Sequence, residues 1–135
     1  MLTVHHRFTV DDLMFLFRGG RVSRAKALVG TVLSMKPRLH VDIEGKLINH
    51  GKIRGRQASL MGLVEDMEQY CDQKDLDTIA ICHGDCEDEA YFVLAEVKKR
   101  FNIKNFIVNP LAAAVGTHVG PGVCALFFIG KKRVQ

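Results

Sequence analysis

Apolar residues recur with helical spacing in two long stretches of the chain. The first runs from Gln57 to Cys71, and the second runs from about Asp88 to Phe101. A repeat of three or four apolar positions in two turns gives a helix one face that packs against a core. The residues predicted on these faces are Leu60, Leu63, Val64, Met67, Cys71, Ala90, Val93, Leu94, Val97 and Phe101.

A β-hairpin is predicted in the first half of the chain. Residues 38–43 alternate between polar and apolar with a period of two, which places Leu39, Val41 and Ile43 on the inner face of a strand. A turn signal follows, and Leu47–Ile53 then reads as the partner strand. The two strands form an antiparallel hairpin.

Three more strands are predicted around the second helix. Thr78–Cys82 precedes it and Asn105–Val108 follows it, while Val123–Ile129 is apolar throughout. A continuous apolar run is typical of a central strand that is buried on both faces. The predicted fold class is therefore α/β, a mixed sheet that includes an antiparallel hairpin and has helices packed on it.

The pattern near the N-terminus predicts a pair of short helices. Thr9 is a candidate N-cap for an apolar helix over Leu13–Phe17, and Ser23 can cap the next helix. That second helix ends at Lys36-Pro37, because a residue before proline is disfavoured in the helical region. The pair is predicted to form a helical hairpin.

Length and composition favour a single domain with a substantial core. The chain has 135 residues, of which 47% are hydrophobic. Its apolar runs are shorter than the roughly 20 residues of a membrane helix, and its N-terminus lacks a signal-peptide core. We expect a cytoplasmic protein without a membrane span. The net charge of +4 is scattered among acidic residues, which argues against nucleic-acid binding.

Four cysteines raise the question of disulfides or zinc. Cys71, Cys82 and Cys124 lie in apolar runs, where a free cysteine behaves as a small hydrophobe. The segment from Cys82 to Cys86 has the composition of a metal site, but no second pair of ligands with zinc spacing follows it. We therefore predict no metal site.

The segment Gly116–Gly122 is a candidate functional loop. It holds three glycines, Pro121 and a single histidine, His118, immediately before the last predicted strand. Such a composition forces an irregular backbone that a ligand can approach closely. The alternative is an ordinary turn with a structural histidine.

Two pairs of arginines are candidate anion ligands. Arg54 and Arg56 stand one residue apart at a strand end just before a helix, where two guanidinium groups could grip a carboxylate or phosphate. Arg18 and Arg21 flank a Gly-Gly turn and either face an anion or simply solvate that turn. For the first pair the alternative is two exposed arginines near a helix start.

Six stretches, in this order, resemble the second half of a DegV-family protein, one of the bacterial fatty-acid-binding proteins. They are Phe8-Thr9-Val10-Asp11-Asp12-Leu13, Arg18-Gly19-Gly20-Arg21-Val22-Ser23, Lys36-Pro37, Ile53-Arg54-Gly55-Arg56, His83-Gly84-Asp85 and Gly116-Thr117-His118-Val119-Gly120-Pro121-Gly122. The resemblance covers nearly the whole chain and implies a two-layer α/β lobe of the EDD fold over residues 1–135. The family's first lobe, whose Ser and Thr hydroxyls hold the ligand carboxylate, is absent from this sequence.

The resemblance implies a lipid-binding role without catalysis. A long-chain fatty acid of the palmitate or oleate class would lie between two lobes, and a separate fatty acid kinase subunit would phosphorylate it. No other cofactor is implied. The expected carboxylate ligands are His118, Thr117 and Arg54, and the loop around them is formed by Gly116, Gly120, Pro121 and Gly122. Arg56, Arg18 and Arg21 are expected near the head group or on the kinase-facing surface.

An acyl chain also requires an apolar wall. The residues expected to form it are Leu28, Val32, Leu111, Val115, Val119 and Phe127. A lobe without its partner would expose this face, so we expect self-association or a bound lipid there. One departure from the family is Phe17, which stands where Lys or Arg usually precedes the Arg-Gly-Gly-Arg turn.

Two other functions remain open at the level of sequence. The family shares its architecture with dihydroxyacetone kinase domains, which suggests phosphotransfer, although the chain has no Walker-type loop. The other is a structural module that docks a protein partner through Arg18, Arg54 and Arg56.

Overall fold

The computed structural model describes residues 3–11, 18, 20, 35–112 and 120–133. The predicted helix over residues 13–17 and residues 23–34 of the next predicted helix lie outside these residues. The end of that second helix, predicted at Lys36-Pro37, was wrong, because Met35–Val41 form a strand. The strands and helices are β1 (Val4–Thr9), β2 (Met35–Val41), β3 (Leu47–Arg54), α1 (Arg56–Tyr70), β4 (Asp75–His83), α2 (Glu87–Arg100), β5 (Asn102–Pro110) and β6 (Cys124–Ile129).

The strands form one mixed sheet in the order β3-β2-β1-β6-β4-β5. β4 and β5 are parallel, with α2 as the connection between them, and the other neighbouring pairs are antiparallel. The predicted hairpin is confirmed as β2 and β3. The predicted central strand is also confirmed, because β6 lies between β1 and β4.

Both described helices pack on the same face of the sheet. Every residue predicted on their apolar faces is buried, and all of them belong to one core cluster. The sheet contributes Ile79 and Ile81 from β4 and Leu126 and Phe128 from β6 to that cluster. Acidic residues occupy the first turn of α2 and basic residues its last turn, which complements the helix dipole.

A second apolar cluster covers the opposite face of the sheet. Its buried members are Phe8, Val10, Leu39, Val123 and Ala125. Side chains alternate along each strand, so β6 supplies residues to both clusters, whereas β1 supplies Phe8 to the second cluster. The sheet therefore carries an apolar cluster on each face.

Two details of the hairpin and its neighbour differ from the sequence prediction. Ile43 was predicted to point inward, but β2 ends at Val41 and Ile43 lies in the following turn with 40% of its surface exposed. Thr9 was proposed as a helix N-cap, but it is the last residue of β1 and pairs with Cys124. The helix it was expected to cap lies outside the described residues.

A buried carboxylate joins α1 to the sheet. Asp66 is 2% exposed and accepts a hydrogen bond from Arg38 of β2. Its other oxygen lies 3.3 Å from Nε2 of His50 and 4.0 Å from Nη1 of Arg7. Burial alone would raise the pKa of Asp66, but the His50 hydrogen bond and the Arg38 charge outweigh burial and hold this pKa below its usual value.

Neither helix in the described part of the chain is long and apolar enough to cross a membrane.

Candidate functional site

Several of the predicted motifs meet at one edge of the sheet because of the strand directions. β1, β3 and β4 end at this edge, whereas β2 and β6 begin there. Met35 pairs with Arg54, and His83 pairs with Cys124. The motifs that surround Arg54, His83 and Gly122 therefore lie along the same edge, although they are far apart in the sequence. We call this edge the motif edge.

The His-Gly-Asp and Gly-Pro-Gly segments are joined through their backbones. The N–H of Gly84 donates to the carbonyl of Val123 at 2.8 Å, and the N–H of Gly122 donates to the carbonyl of Gly84 at 2.7 Å. A Cβ atom at Gly84 would lie 2.7 Å from a Val123 methyl group and 3.0 Å from the Gly120 carbonyl oxygen. Only glycine permits this close approach.

Leu111, which precedes the glycine-rich loop in the chain, is also attached to β4. The N–H of Leu111 donates to the carbonyl of His83 at 2.9 Å. The described residues on both sides of segment 113–119 are thus held at the end of one strand. Gly122 adopts a φ of +87°, a left-handed conformation that strains any residue with a side chain.

Arg56 ties α1 to the same segment. Its guanidinium donates to the carbonyl of Gly122 and to the carboxylate of Glu89 in the first turn of α2. Its Nη1 lies 3.4 Å from the carboxylate of Asp11, which is also 3.7 Å from Nζ of Lys36. We call this group, formed by Arg56, Glu89, Gly122 and Asp11, the arginine clamp.

Arg54 has a different environment from Arg56. It is exposed at the end of β3 and makes no ion pair with any residue that the structure describes. Gly55 separates the two arginines with φ 92° and ψ 147°, a backbone conformation that is essentially restricted to glycine. Within the described ranges, the two guanidinium groups share no bonding partner.

The other predicted site residues are only partly described. Arg18 and Pro121 are exposed, whereas Gly120 and Gly122 are buried. Leu111 and Phe127 are half-buried and pack against the second apolar cluster. The predicted residues that lie outside the described residues are Gly116, Thr117, His118, Arg21, Leu28, Val32, Val115 and Val119.

The cysteines near the motif edge are thiols rather than thiolates at neutral pH. Burial raises the pKa of Cys86, whose Sγ donates to the carbonyl of Val123 at 3.2 Å, and it raises the pKa of Cys124 to about 12. A thiolate is the form that attacks substrates and binds metals. Among the described residues, no three His, Cys, Asp or Glu side chains are grouped as metal ligands.

Glu89 and Asp11 were not recognised from the sequence as partners of Arg56. Arg56 and Glu89 are 33 residues apart, and Arg56 and Gly122 are 66 residues apart. No local spacing reveals such contacts. The acidic residues in the first turn of α2 also fit the helix dipole, so their presence alone does not indicate a partner for Arg56.

The fold and this edge define a two-layer α/β domain whose strand ends carry a tightly bonded Gly-rich segment. Residues 2–131 match the family model described as "Uncharacterised protein, DegV family". The chain belongs to the DegV family, as its motifs predicted. A DegV domain-containing protein of Clostridium perfringens is 37% identical over 128 residues, which are 95% of this chain and 44% of that relative. The chain thus spans less than half the length of this relative.

Solved structures agree with this assignment. A fatty acid binding DegV family protein from Streptococcus agalactiae is 32% identical, with a TM-score of 0.79 over 96% of this chain and 45% of that protein. A DegV family protein from Thermus thermophilus, described for its fatty acid binding, is 29% identical, with a TM-score of 0.80 over 93% of this chain and 45% of that protein. The predicted family and fold are confirmed.

Proposed function

We propose that this chain is one lobe of a fatty-acid carrier and that it binds the carboxylate of the fatty acid at the motif edge. The observation that carries the proposal is that Arg54, Arg56 and the described residues on both sides of segment 113–119 lie along that edge. Two structural relatives above 25% identity are described as binding fatty acids, which supports the same ligand class.

His118 and Thr117 are the proposed hydrogen-bond donors to the carboxylate. They belong to the seven-residue segment between Ala112 and Gly120. Close to its two ends, Leu111 is bonded to His83 and Gly122 is bonded to Gly84, at the end of β4. Arg54 supplies the positive charge, since its side chain is exposed and makes no ion pair with a described residue. Arg56 instead holds the end of the loop in place through its hydrogen bond to the Gly122 carbonyl.

The acyl chain is proposed to lie against the sheet face that carries no described helix. Leu111 and Phe127 are half-buried at the second apolar cluster, so part of each side chain remains exposed for contact with an acyl chain. Each buried CH2 group contributes about 0.8 kcal/mol, so an acyl chain needs an extended apolar wall. We expect Leu28, Val32, Val115 and Val119 to complete this wall.

The other half of the site is proposed to come from a second lobe, because the chain matches only 44% of the length of its relative. The proposed whole protein presents the fatty acid to a kinase subunit and carries out no chemistry of its own. Phosphotransfer and protein docking stay alternatives, and no observation at the motif edge specifically favours either.

Thermal unfolding with and without oleate tests the proposal, because a ligand that binds only the folded state raises the melting temperature. The measurement is made on this chain and on a protein with both lobes. Oleyl alcohol, which lacks the carboxylate, is the matched control ligand. We expect a larger shift with oleate than with the alcohol, and His118→Ala should remove this difference. Equal shifts for both ligands, or none in either protein, would refute the proposal.

A further inference from the structure

A second cluster of cationic side chains lies at the opposite edge of the sheet. There β1 begins, β2 ends, and the residues after β6 cross toward β2. A cleft of about 80 Å³ opens between these segments. It is lined by His5, His6, Arg7, His40, Val41, Tyr70, Lys132 and Arg133. We call it the basic cleft.

The lining of the basic cleft contains three permanent cations and no carboxylate. Two buried acids lie close to the cleft. Asp66 is 4.0 Å from Nη1 of Arg7 but is already bonded to Arg38 and His50. The Asp42 carboxylate accepts the backbone N–H groups of Glu44 and Lys46. Lys132 is exposed and forms no ion pair with a residue in the described part of the chain. The cleft therefore has an excess of positive charge.

Several donors in the cleft are buried without a hydrogen-bond acceptor. Arg7 is 5% exposed, and its Nε and Nη1 atoms have no hydrogen-bond partner among the described residues. Nε of Arg133 is also unpartnered there, although its Nη1 donates to the carbonyls of Val41 and Asp42. Buried donors on charged groups are normally satisfied, so these point to a missing acceptor.

The histidines of the cleft respond to the same excess of charge. Burial lowers the pKa of His5, and the charges of Arg7 and Arg133 lower it further. Burial and Arg133 lower the pKa of His6, while burial, Arg7 and His50 lower that of His40 to about 4. Burial and the nearby arginine charges thus favour the neutral form of all three imidazoles.

We propose that the basic cleft binds a phosphate-type oxyanion, either inorganic phosphate or the phosphate of a monoester. Arg7, Lys132 and Arg133 are the proposed ligands. A single water needs roughly 10–15 Å³ of accessible space, so the cleft holds a group larger than one water. A tetrahedral oxyanion accepts several charge-assisted hydrogen bonds at once, which matches the unpaired guanidinium donors. This site is separate from the motif edge and does not depend on the function proposed there.

Calorimetric titration with inorganic phosphate at constant ionic strength tests the proposal, with chloride as the control anion. The variant is Lys132→Gln, because Lys132 is exposed and its replacement removes charge without removing packing. Lys131→Gln is the matched control, since Lys131 is the adjacent exposed lysine but pairs with Asp72 at 3.0 Å. We expect saturable phosphate binding that weakens about fivefold in Lys132→Gln and stays within about twofold of wild type in Lys131→Gln. No saturable binding, or an equal loss in both variants, would overturn the proposal.

Proton NMR of the imidazole rings provides a second measurement. Phosphate should shift the signals of His6 and His40, which line the cleft, and leave that of His83 at the motif edge unchanged. An anion in the cleft should also raise the pKa of both cleft histidines. Shifts of the same size at all three histidines would indicate non-specific binding and would refute the site.

Vesicle sedimentation distinguishes the two sources of phosphate. Vesicles of phosphatidylcholine with phosphatidic acid carry a phosphate monoester, and vesicles of phosphatidylcholine alone are the control. Binding to the acidic vesicles that Lys132→Gln abolishes and Lys131→Gln preserves would assign a lipid head group. Binding of inorganic phosphate without vesicle binding would assign a soluble phosphate compound.

Discussion

Replacement of Arg56 by glutamine tests the arginine clamp, and the same change at Arg54 is its internal control. The two arginines differ by two positions in sequence but not in chemistry. Arg56 bonds to Glu89, Gly122 and Asp11, whereas Arg54 is exposed at the end of β3 and has no ion pair with a described residue. Arg56→Gln should therefore destabilise the fold, and Arg54→Gln should leave its stability unchanged.

The expected size of the effect follows from the exposure of the groups in the clamp. The Arg56, Glu89 and Asp11 side chains are 20%, 37% and 52% exposed, so each ion pair contributes about 0.2–1 kcal/mol. The part-buried hydrogen bond from a charged donor to the Gly122 carbonyl adds about 1.5 kcal/mol. We expect a loss of about 2 kcal/mol in the free energy of unfolding, or about 7 °C in melting temperature for a chain of 135 residues.

Calorimetry and urea unfolding of the wild type and both variants measure this difference. Arg54→Gln should stay within about 0.5 kcal/mol of wild type, as surface substitutions usually do. Fatty-acid binding adds a functional comparison, because Arg54→Gln should weaken it without a change in stability. A melting temperature of Arg56→Gln within 2 °C of wild type, or an equal loss in both variants, would refute the clamp.

Three further outcomes are expected. Gly122→Ala should lower the free energy of unfolding by about 2 kcal/mol, because its φ is +87° and the new Cβ would meet the Asp11 carboxylate. Gly45→Ala should lower it by about 1 kcal/mol in the same urea assay, because Gly45 has a φ of +82° but open space around it. Asp66→Ala should lower the free energy of unfolding by about 3–5 kcal/mol, since it leaves buried arginine charge without its partner. A loss below about 1 kcal/mol would contradict this prediction. Stability should fall as the pH drops from 6.5 to 4, because the unfolded chain takes up a proton that folded His40, with its pKa lowered to about 4, does not. After allowance for solvent screening, this loss should be about 1–2 kcal/mol, and His40→Gln should reduce it in unfolding curves at pH 7 and 4.5.

The helices and the central strand could be predicted from sequence, but β1 could not. Leu60, Leu63 and Val64 show the helical repeat directly, and the apolar run of β6 has few other interpretations. β1 buries His5, Arg7 and Thr9 on its helix-facing side. This polar face is satisfied only in part, by Asp66 and the Tyr70 ring of α1. Such compensation belongs to the tertiary structure, so hydrophobic periodicity does not detect it.

The candidate site shows the same division between local and non-local information. The glycine-rich loop and the paired arginines could be recognised from the sequence as candidate ligand-binding groups, and the family resemblance predicted that they act at one site. The backbone bonds between Gly84, Gly122 and Val123 were not predictable, because they depend on the antiparallel pairing of β4 with β6.

The backbone conformation of one glycine directs the two neighbouring arginines to different contacts. In an extended strand, residues two positions apart point to the same side, so Arg54 and Arg56 would face one ligand together. Gly55, with φ 92° and ψ 147°, ends that alternation and starts α1 at Arg56. The second guanidinium is thereby directed to Glu89 and Gly122, while the first stays in solvent. Any side chain at position 55 would strain this conformation, so we expect Gly55→Ala to loosen the arginine clamp and lower stability by about 1–3 kcal/mol. A Gly55→Ala protein as stable as wild type in urea would show that the backbone at this position does not separate the two roles.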